Sequence, residues 1–237
     1  MLQINNFVKK YDSYEAVCIE RLHVPKHSIF AFIGKNGAGK TTTIKSIVGL
    51  LNVDNGYIKV NGKNIKTNKK DVKKNIGYIA DTPMVYDYLT GYEFVKFMAN
   101  IYGIEDGEEL EELIKYYINK FEIDDKVNEF INTYSHGTKQ KIAIIATLIH
   151  KPNLLILDEP TVGLDPQTTK ILKDVLVEER EKGTTIFIST HILSVAEEIC
   201  DRLAIIDKGI IKYQGTMEDI NKHYNSLEEA FLDLIGK

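Results

Sequence analysis

The stretch "GKNGAGKTTT", residues 34–43, places three glycines and three threonines directly after the apolar run Phe30 to Ile33. Ile44, Ile47, Val48 and Leu51 then recur at helical spacing, so the order reads strand, glycine loop, helix. Gly34, Gly39, Lys40 and Thr41 fit the pattern G-x-x-x-x-G-K-[ST]. Each residue type has a physical reason. The glycines, Gly37 among them, let successive backbone N–H groups converge on phosphate oxygens, and the following helix points its N-terminus at the same anion. Lys40 reaches the β and γ phosphates and Thr41 offers a hydroxyl to Mg²⁺. Asn36, Ala38 and Thr42 complete the nucleotide-binding loop. The plain alternative, a glycine-rich turn with an exposed lysine, would not need the flanking strand and helix.

Such a loop needs an acidic group from across a sheet to hold the cation. In "NLLILDEP", residues 153–160, Leu154 to Leu157 read as a buried strand with Asp158 at its end, placed to bind Mg²⁺. Glu159 follows where the chain leaves the strand, and a carboxylate there can orient a water and relieve it of a proton. An Asp-Glu pair after a strand could also be a helix cap or a surface turn; the glycine loop upstream favours the first reading. His191 follows a third apolar strand, "TTIFIST". A lone histidine is usually structural, but this one falls at the carboxyl end of a strand, where open α/β sheets bind ligands, and a contact to the γ-phosphate is the better reading.

The bulk properties narrow the function. The 237 residues suffice for one large α/β domain with an inserted lobe. Lys plus Arg number 30 against 34 Asp plus Glu, a formal charge of −4, so no nucleic-acid partner is expected. Lys69, Lys70, Lys73 and Lys74 read as a solvated helix surface. Two cysteines, Cys18 and Cys200, fit a reduced compartment and read as small core side chains. The N-terminus has no continuous apolar segment of the secretion type, and the apolar stretch Ile142 to Ile149 falls far short of a membrane-spanning helix.

The elements predict an α/β fold: a P-loop NTPase core with a mostly parallel sheet, a small antiparallel β-subdomain and an inserted helical subdomain. "GYIKVNGKNI", residues 56–65, alternates around an Asn-Gly pair and reads as short antiparallel strands joined by a turn. From 85 to 150 no strand pattern appears, and the stretches around Glu93 to Asn100, Glu108 to Phe121 and Ile142 to His150 carry helical periodicity. The α/β core is therefore assigned to 1–84 and 151–215, the helical lobe to 85–150 and a helical tail to 216–237, all within one domain. "RLAIIDKGIIKYQG", residues 202–215, adds a strand and a hairpin. Ser226 and Glu229 make a capping box for a terminal helix.

Phosphate loop, helical insertion, acidic strand and later histidine together resemble the nucleotide-binding (ATPase) subunit of ATP-binding cassette (ABC) transporters, over Tyr11 to about Tyr213. The resemblance implies ATP and Mg²⁺ as cofactors and hydrolysis of ATP to ADP and phosphate, coupled to transport. It implies a separate integral-membrane transport subunit and attachment to the cytoplasmic face of the membrane. It also implies an ATP-dependent head-to-tail homodimer, or pairing with another cassette subunit, in which each phosphate loop faces the other subunit's signature helix. Tyr11 is the aromatic implied to stack on adenine, for which an aromatic face suffices physically. Asp165 in "GLDP" belongs to the loop that communicates across the dimer, and it could equally cap a helix starting at Pro166. His191 is the implied switch histidine.

Two positions depart from the family pattern. Where the family signature reads Leu-Ser-Gly-Gly-Gln, this chain has Tyr134, Ser135, His136, Gly137 and Thr138. Ser135 and Gly137 keep the anion-facing geometry, while His136 puts a bulky side chain where the family has a hydrogen, either assisting phosphate binding or crowding it. Asp81 occupies the place of a family glutamine that meets Mg²⁺ or the attacking water; aspartate is shorter and charged, and can still meet the metal through water. The tail "NSLEEAFLDLIGK" is similar in style to bacterial exporters of antibiotics, peptides or lipids. The competing readings are a soluble cassette ATPase acting on the ribosome or DNA, and a nucleotide-sensing scaffold with little turnover. The former usually resembles two cassettes in one chain or carries a long coiled-coil insertion, and neither is visible here.

Overall fold

A computed structural model describes residues 1–236. The chain builds two sheets. The larger has six strands in the order β10-β9-β3-β8-β7-β6: β3 (Ile29–Ile33), β6 (Ile76–Ile79), β7 (Leu154–Asp158), β8 (Thr185–Thr190) and β9 (Arg202–Asp207), all parallel, with β10 (Ile210–Thr216) antiparallel at the edge. The smaller has β2 (Tyr14–Val24), β1 (Leu2–Tyr11), β4 (Asn55–Val60) and β5 (Lys63–Asn64), and its pairs are antiparallel. The Asn-Gly turn is where the sequence places it: Asn61 and Gly62 have φ of 48° and 79°, the left-handed pair that a two-residue hairpin requires. Lys208 and Gly209 repeat that geometry between β9 and β10.

Strands β3, β7, β8 and β9 are buried on both faces, which is why they read as continuous apolar runs. Their alternate residues serve two cores. Ala31, Leu155, Ile188 and Leu203 face one cluster, shared with the helices of the lobe and tail. Phe30, Phe32, Ile156 and Phe187 face the other, against the small sheet and α1 (Lys40–Ile47). Phe187 stacks on Phe30 at 5.7 Å between ring centroids and meets Phe32 at 5.4 Å. This aromatic knot sits directly beneath the loop that leaves β3, and truncating Phe187 would cost about 3–5 kcal/mol.

Helix α2 (Lys69–Lys74) precedes β6, and between β6 and β7 the regular elements are helical, with α3 (Gly91–Ile101), α4 (Glu108–Lys120) and α5 (His136–Leu148). A single bridge joins Thr90 to Phe130. Helix α3 opens with a full capping box, Thr90 with Glu93. Helix α5 begins six residues before the apolar periodicity at Ile142, because Ser135 caps a first turn that is polar and partly exposed. Helices α6 (Pro166–Glu181), α7 (Leu193–Ile199), α8 (Met217–His223) and α9 (Leu227–Gly236) complete the chain.

Two local expectations are corrected. Ser226 caps α9 as expected, its hydroxyl accepting from the Glu229 N–H at 3.2 Å, but the return bond differs: the Glu229 carboxylate accepts from the N–H of Asn225 at 3.0 Å. Cys18 is only half-buried, since β2 lies at the rim of the small sheet, whereas Cys200 is buried and its thiol is pushed up by desolvation. Among the described residues no helix is long and apolar enough to cross a membrane.

Candidate nucleotide-binding site

The phosphate loop links β3 to α1 at the carboxyl edge of the parallel strands, next to the ends of β7 and β8. A Cβ on Gly34 would lie 2.5 Å from the Ile206 carbonyl oxygen, so only glycine lets the chain pass β9 there. Gly39 caps α1 at φ 106°, and a Cβ on it would meet Val17 at 2.9 Å. Both glycines are required by sterics before any ligand is considered. Ala38 is buried in the core; its carbonyl accepts from the Gly209 N–H at 2.9 Å, which ties the loop to the β9–β10 turn.

Lys40 is only 6% exposed. Its Nζ donates to the Gly34 carbonyl at 2.7 Å and the Lys35 carbonyl at 3.3 Å, and pairs with Glu159 Oε1 at 3.1 Å. Glu159 holds φ 50°, uncommon outside glycine. Its N–H donates to the carbonyl and the hydroxyl of Ser189, both at 3.1 Å. Glu159 Oε2 accepts from the His191 N–H at 3.2 Å and sits 2.9 Å from His191 Nδ1. The carboxylate therefore stands between the loop lysine and the histidine, at the wall of a cleft of about 270 Å³.

Asp158 is wholly buried at the end of β7. Burial raises its carboxyl above the ordinary range, the Ser189 and Thr41 hydroxyls pull it back, and Asp81 and Glu159 push it further up. Oδ1 accepts a short bond from Ser189, and Oδ2 is buried without a hydrogen-bond partner. An orphaned buried carboxylate oxygen beside a threonine hydroxyl is the hard, oxygen-only donor set that Mg²⁺ takes. Thr41, Asp158 and Asp81 thus fit that ion, and Asp81 lines the cleft with its Oδ1 accepting from the Thr82 N–H at 2.9 Å.

The cleft is lined by Lys35, Asn36, Gly37, Gly39, Lys40, Thr41 and Thr42 of the loop, with Tyr14 and Ala16 from β2. Tyr14, and not Tyr11, is the aromatic on this lining. Tyr11 is the cross-strand partner of Tyr14 at the tip of the same hairpin, 47% exposed, with the Lys9 ammonium 5.5 Å from its ring centre. Ser135 and Gly137 lie outside the cleft, on the first turn of α5, where the Ser135 hydroxyl accepts from the Thr138 N–H at 3.2 Å. Asp165 caps α6, accepting from the Thr168 N–H at 2.9 Å and the Thr168 hydroxyl at 2.7 Å. Those bonds hold its carboxyl below the usual range. The α5 and α6 caps are neighbours: a Cβ on Gly163 would come within 3.1 Å of His136 Cδ2. Tyr14 and Ser189 were not singled out from sequence. Ser189 has no motif around it, and its place beside Asp158 follows from the pairing of β7 with β8, which puts the two residues opposite each other.

The sheet order, the loop and the buried carboxylate define a P-loop NTPase. The family model for ABC transporters matches residues 20–162. The ATP-binding protein YhaQ of Bacillus subtilis is 34% identical over 224 residues, 94% of this chain and 74% of that protein. The linearmycin resistance ATP-binding protein LnrL of the same organism is 36% identical over 223 residues, covering 93% and 70%. A solved ATP-binding subunit of an ABC transporter superposes with a TM-score of 0.93 at 33% identity, over 99% of both chains. The chain belongs to the ABC transporter family as an ATP-binding subunit, a class that hydrolyses ATP and works with separate membrane components.

Proposed function

We propose that this chain hydrolyses ATP to ADP and phosphate to drive export through a separate membrane-spanning partner. The observation that carries the hydrolysis is the carboxylate of Glu159 at the loop mouth, paired with Lys40 on one oxygen and with His191 on the other. Triphosphate entering the loop draws the Lys40 ammonium to its β and γ oxygens, since a doubly charged phosphate outcompetes one carboxylate. Glu159 Oε1 is then free to accept a proton from water, an effect worth about 10²–10⁴-fold. His191 keeps the carboxylate oriented through Oε2 and turns its other ring nitrogen towards the γ-phosphate. Thr41, Asp158 and Asp81 would hold Mg²⁺, which when bound would supply positive charge against the phosphates.

The base rests against the β1–β2 hairpin, on Tyr11 as the resemblance implies, with Tyr14 closing the cleft side. Ser135, Gly137 and Asp165 act on a second subunit in a head-to-tail pair. The lobe 85–150 docks the membrane partner, which places the chain on the cytoplasmic face of a bacterial membrane. The direction is supported by the name of LnrL, since resistance follows from moving a compound outwards. The test is Glu159→Gln: ATP binding is expected to persist while turnover falls by about 10²-fold or more, and full steady-state activity would remove Glu159 from this role. Export is tested by co-purification from native membranes and transport in vesicles with the recovered partner; a cassette recovered without any membrane protein counts against it.

A further inference from the structure

At position 136 the chain has histidine where the family signature has glycine. The residue opens α5 and is exposed, yet its ring has a neighbour within its own subunit. A Cβ on Gly163 would lie 3.1 Å from His136 Cδ2 and 3.3 Å from Nε2, and among the described residues no other atom outside 162–164 comes within 4 Å of that position. Beside it, a Cβ on Gly137 would lie 3.9 Å from Leu164 Cδ2. The first turn of α5 therefore lies along the turn 159–165, and His136 covers its apex.

That turn begins at Glu159 and ends at Asp165, the cap of α6. Its legs are fixed: the Glu159 N–H is held by Ser189, Pro160 and Thr161 are buried, Leu164 packs against the core and Asp165 is bonded to Thr168. The apex is not. Val162 is 45% exposed, and the Val162 N–H donates to the Glu159 carbonyl at 3.2 Å, so the position of the apex bears on the peptide that leaves Glu159. Thr161 Oγ1 is buried without a hydrogen-bond partner, and so is Oε1 of Gln140, one turn along α5 from His136. Neither oxygen ties the turn to α5. Glu159 at φ 50° and Gly163 at φ 78° both lie in the left-handed region. For Glu159 that conformation costs free energy and persists where the surroundings impose it.

We propose that His136 is a positioning residue for the Glu159 carboxylate of its own subunit. The ring braces the apex, the apex holds the Glu159 carbonyl, and the carboxylate is thereby kept between Lys40 and His191. The role rests on the reading of Glu159 as the group that takes the proton from water. It requires the shape of the ring and neither its charge nor its nitrogens, and a glycine at 136 would leave the apex in water.

Steady-state turnover of MgATP by the full chain tests this. His136→Gly is expected to lower kcat about tenfold, as a small displacement of a reacting group does. The KM for ATP is expected to stay within about twofold, the pattern of an interaction felt in the transition state alone. His136→Phe, which fills the same space without charge or hydrogen bond, is expected to restore kcat to within about twofold of the parent. In a Glu159→Gln background His136→Gly is expected to change the residual turnover by less than about twofold, because residues that act as a unit are not additive. Titration calorimetry and melting temperatures check that each variant binds MgATP and is folded. An unchanged or raised kcat in His136→Gly, a loss confined to KM, an equal loss in His136→Phe, or a full further loss in the Glu159→Gln background would each overturn the proposal and leave the reading of Glu159 standing. Parent turnover in Glu159→Gln alone would overturn both.

Discussion

Lys40 shows how one side chain holds the resting site together. Its ammonium is buried and satisfied by two loop carbonyls and by Glu159, so the loop folds around its own cation. Lys40→Ala is expected to weaken ATP binding by about 30- to 150-fold, the worth of charge-assisted bonds of about 2–3 kcal/mol. Titration calorimetry measures it, and near-unchanged affinity would count against the phosphate-contact role. Ser189 belongs to the same circuit, since it donates to Asp158 and receives the Glu159 N–H, fixing both carboxylates from the neighbouring strand.

Two of the contacts that fasten the helices of the lobe to the core use aromatic side chains with polar groups. Tyr117 of α4 donates to the buried Glu179 of α6 at 2.9 Å, and Tyr116 beside it donates to Glu178 at 2.8 Å. At the other place His150, just past α5, stacks on Tyr102 with 3.7 Å between ring centres and sits 3.3 Å from the Ile76 carbonyl of β6. Burial pushes His150 down to about 4. Because this histidine binds its proton more weakly folded than unfolded, the unfolded chain takes up more protons as pH falls from about 6.5 towards 4, and stability is lost over that window. The loss is expected to be about 2 kcal/mol between about pH 7 and about pH 5. Urea unfolding at the two pH values measures it, and His150→Phe, which keeps the stack, is expected to flatten the dependence. An unchanged slope in that variant would assign the acid sensitivity elsewhere.

The molecule presents its loop and its α5 cap on separate surfaces: the cleft contains Lys40, Thr41 and Glu159, and Ser135 and Gly137 lie outside it. A triphosphate in one cleft is therefore left open on the side that a second copy's α5 N-terminus can close. The protein is expected to be monomeric without nucleotide and to form a transient dimer with MgATP in a Glu159→Gln background. Sedimentation velocity decides this. A monomer at high concentration with saturating MgATP would favour assembly only on the membrane partner or with a different cassette subunit. His136, packed against the Gly163 turn, joins the α5 cap to the Asp165 loop within one subunit.

Local chemistry was legible where it is dictated locally. The loop glycines, the lysine, the doubly buried strands, the Asn-Gly hairpin and the acidic strand end each follow from backbone sterics or from burial on two faces, and these residue types announce themselves at short range. Asp165 as a cap is of the same kind. Periodicity alone does not reach the start of α5 because its first turn is polar, and there the family signature supplies the Ser135 cap; before α9 the Ser226 cap is present, while the return bond goes to Asn225 because Asn225 and Ser226 offer Glu229 adjacent amides. What depends on which strand lies beside which was not written along the chain. That Ser189 faces Asp158, that Tyr14 and not Tyr11 lines the cleft, that Asp158 keeps an orphaned oxygen and that Lys73 reaches Gly49 are all products of packing between segments far apart in sequence. Periodicity reports which face of an element is buried; it carries no information about which neighbour buries it.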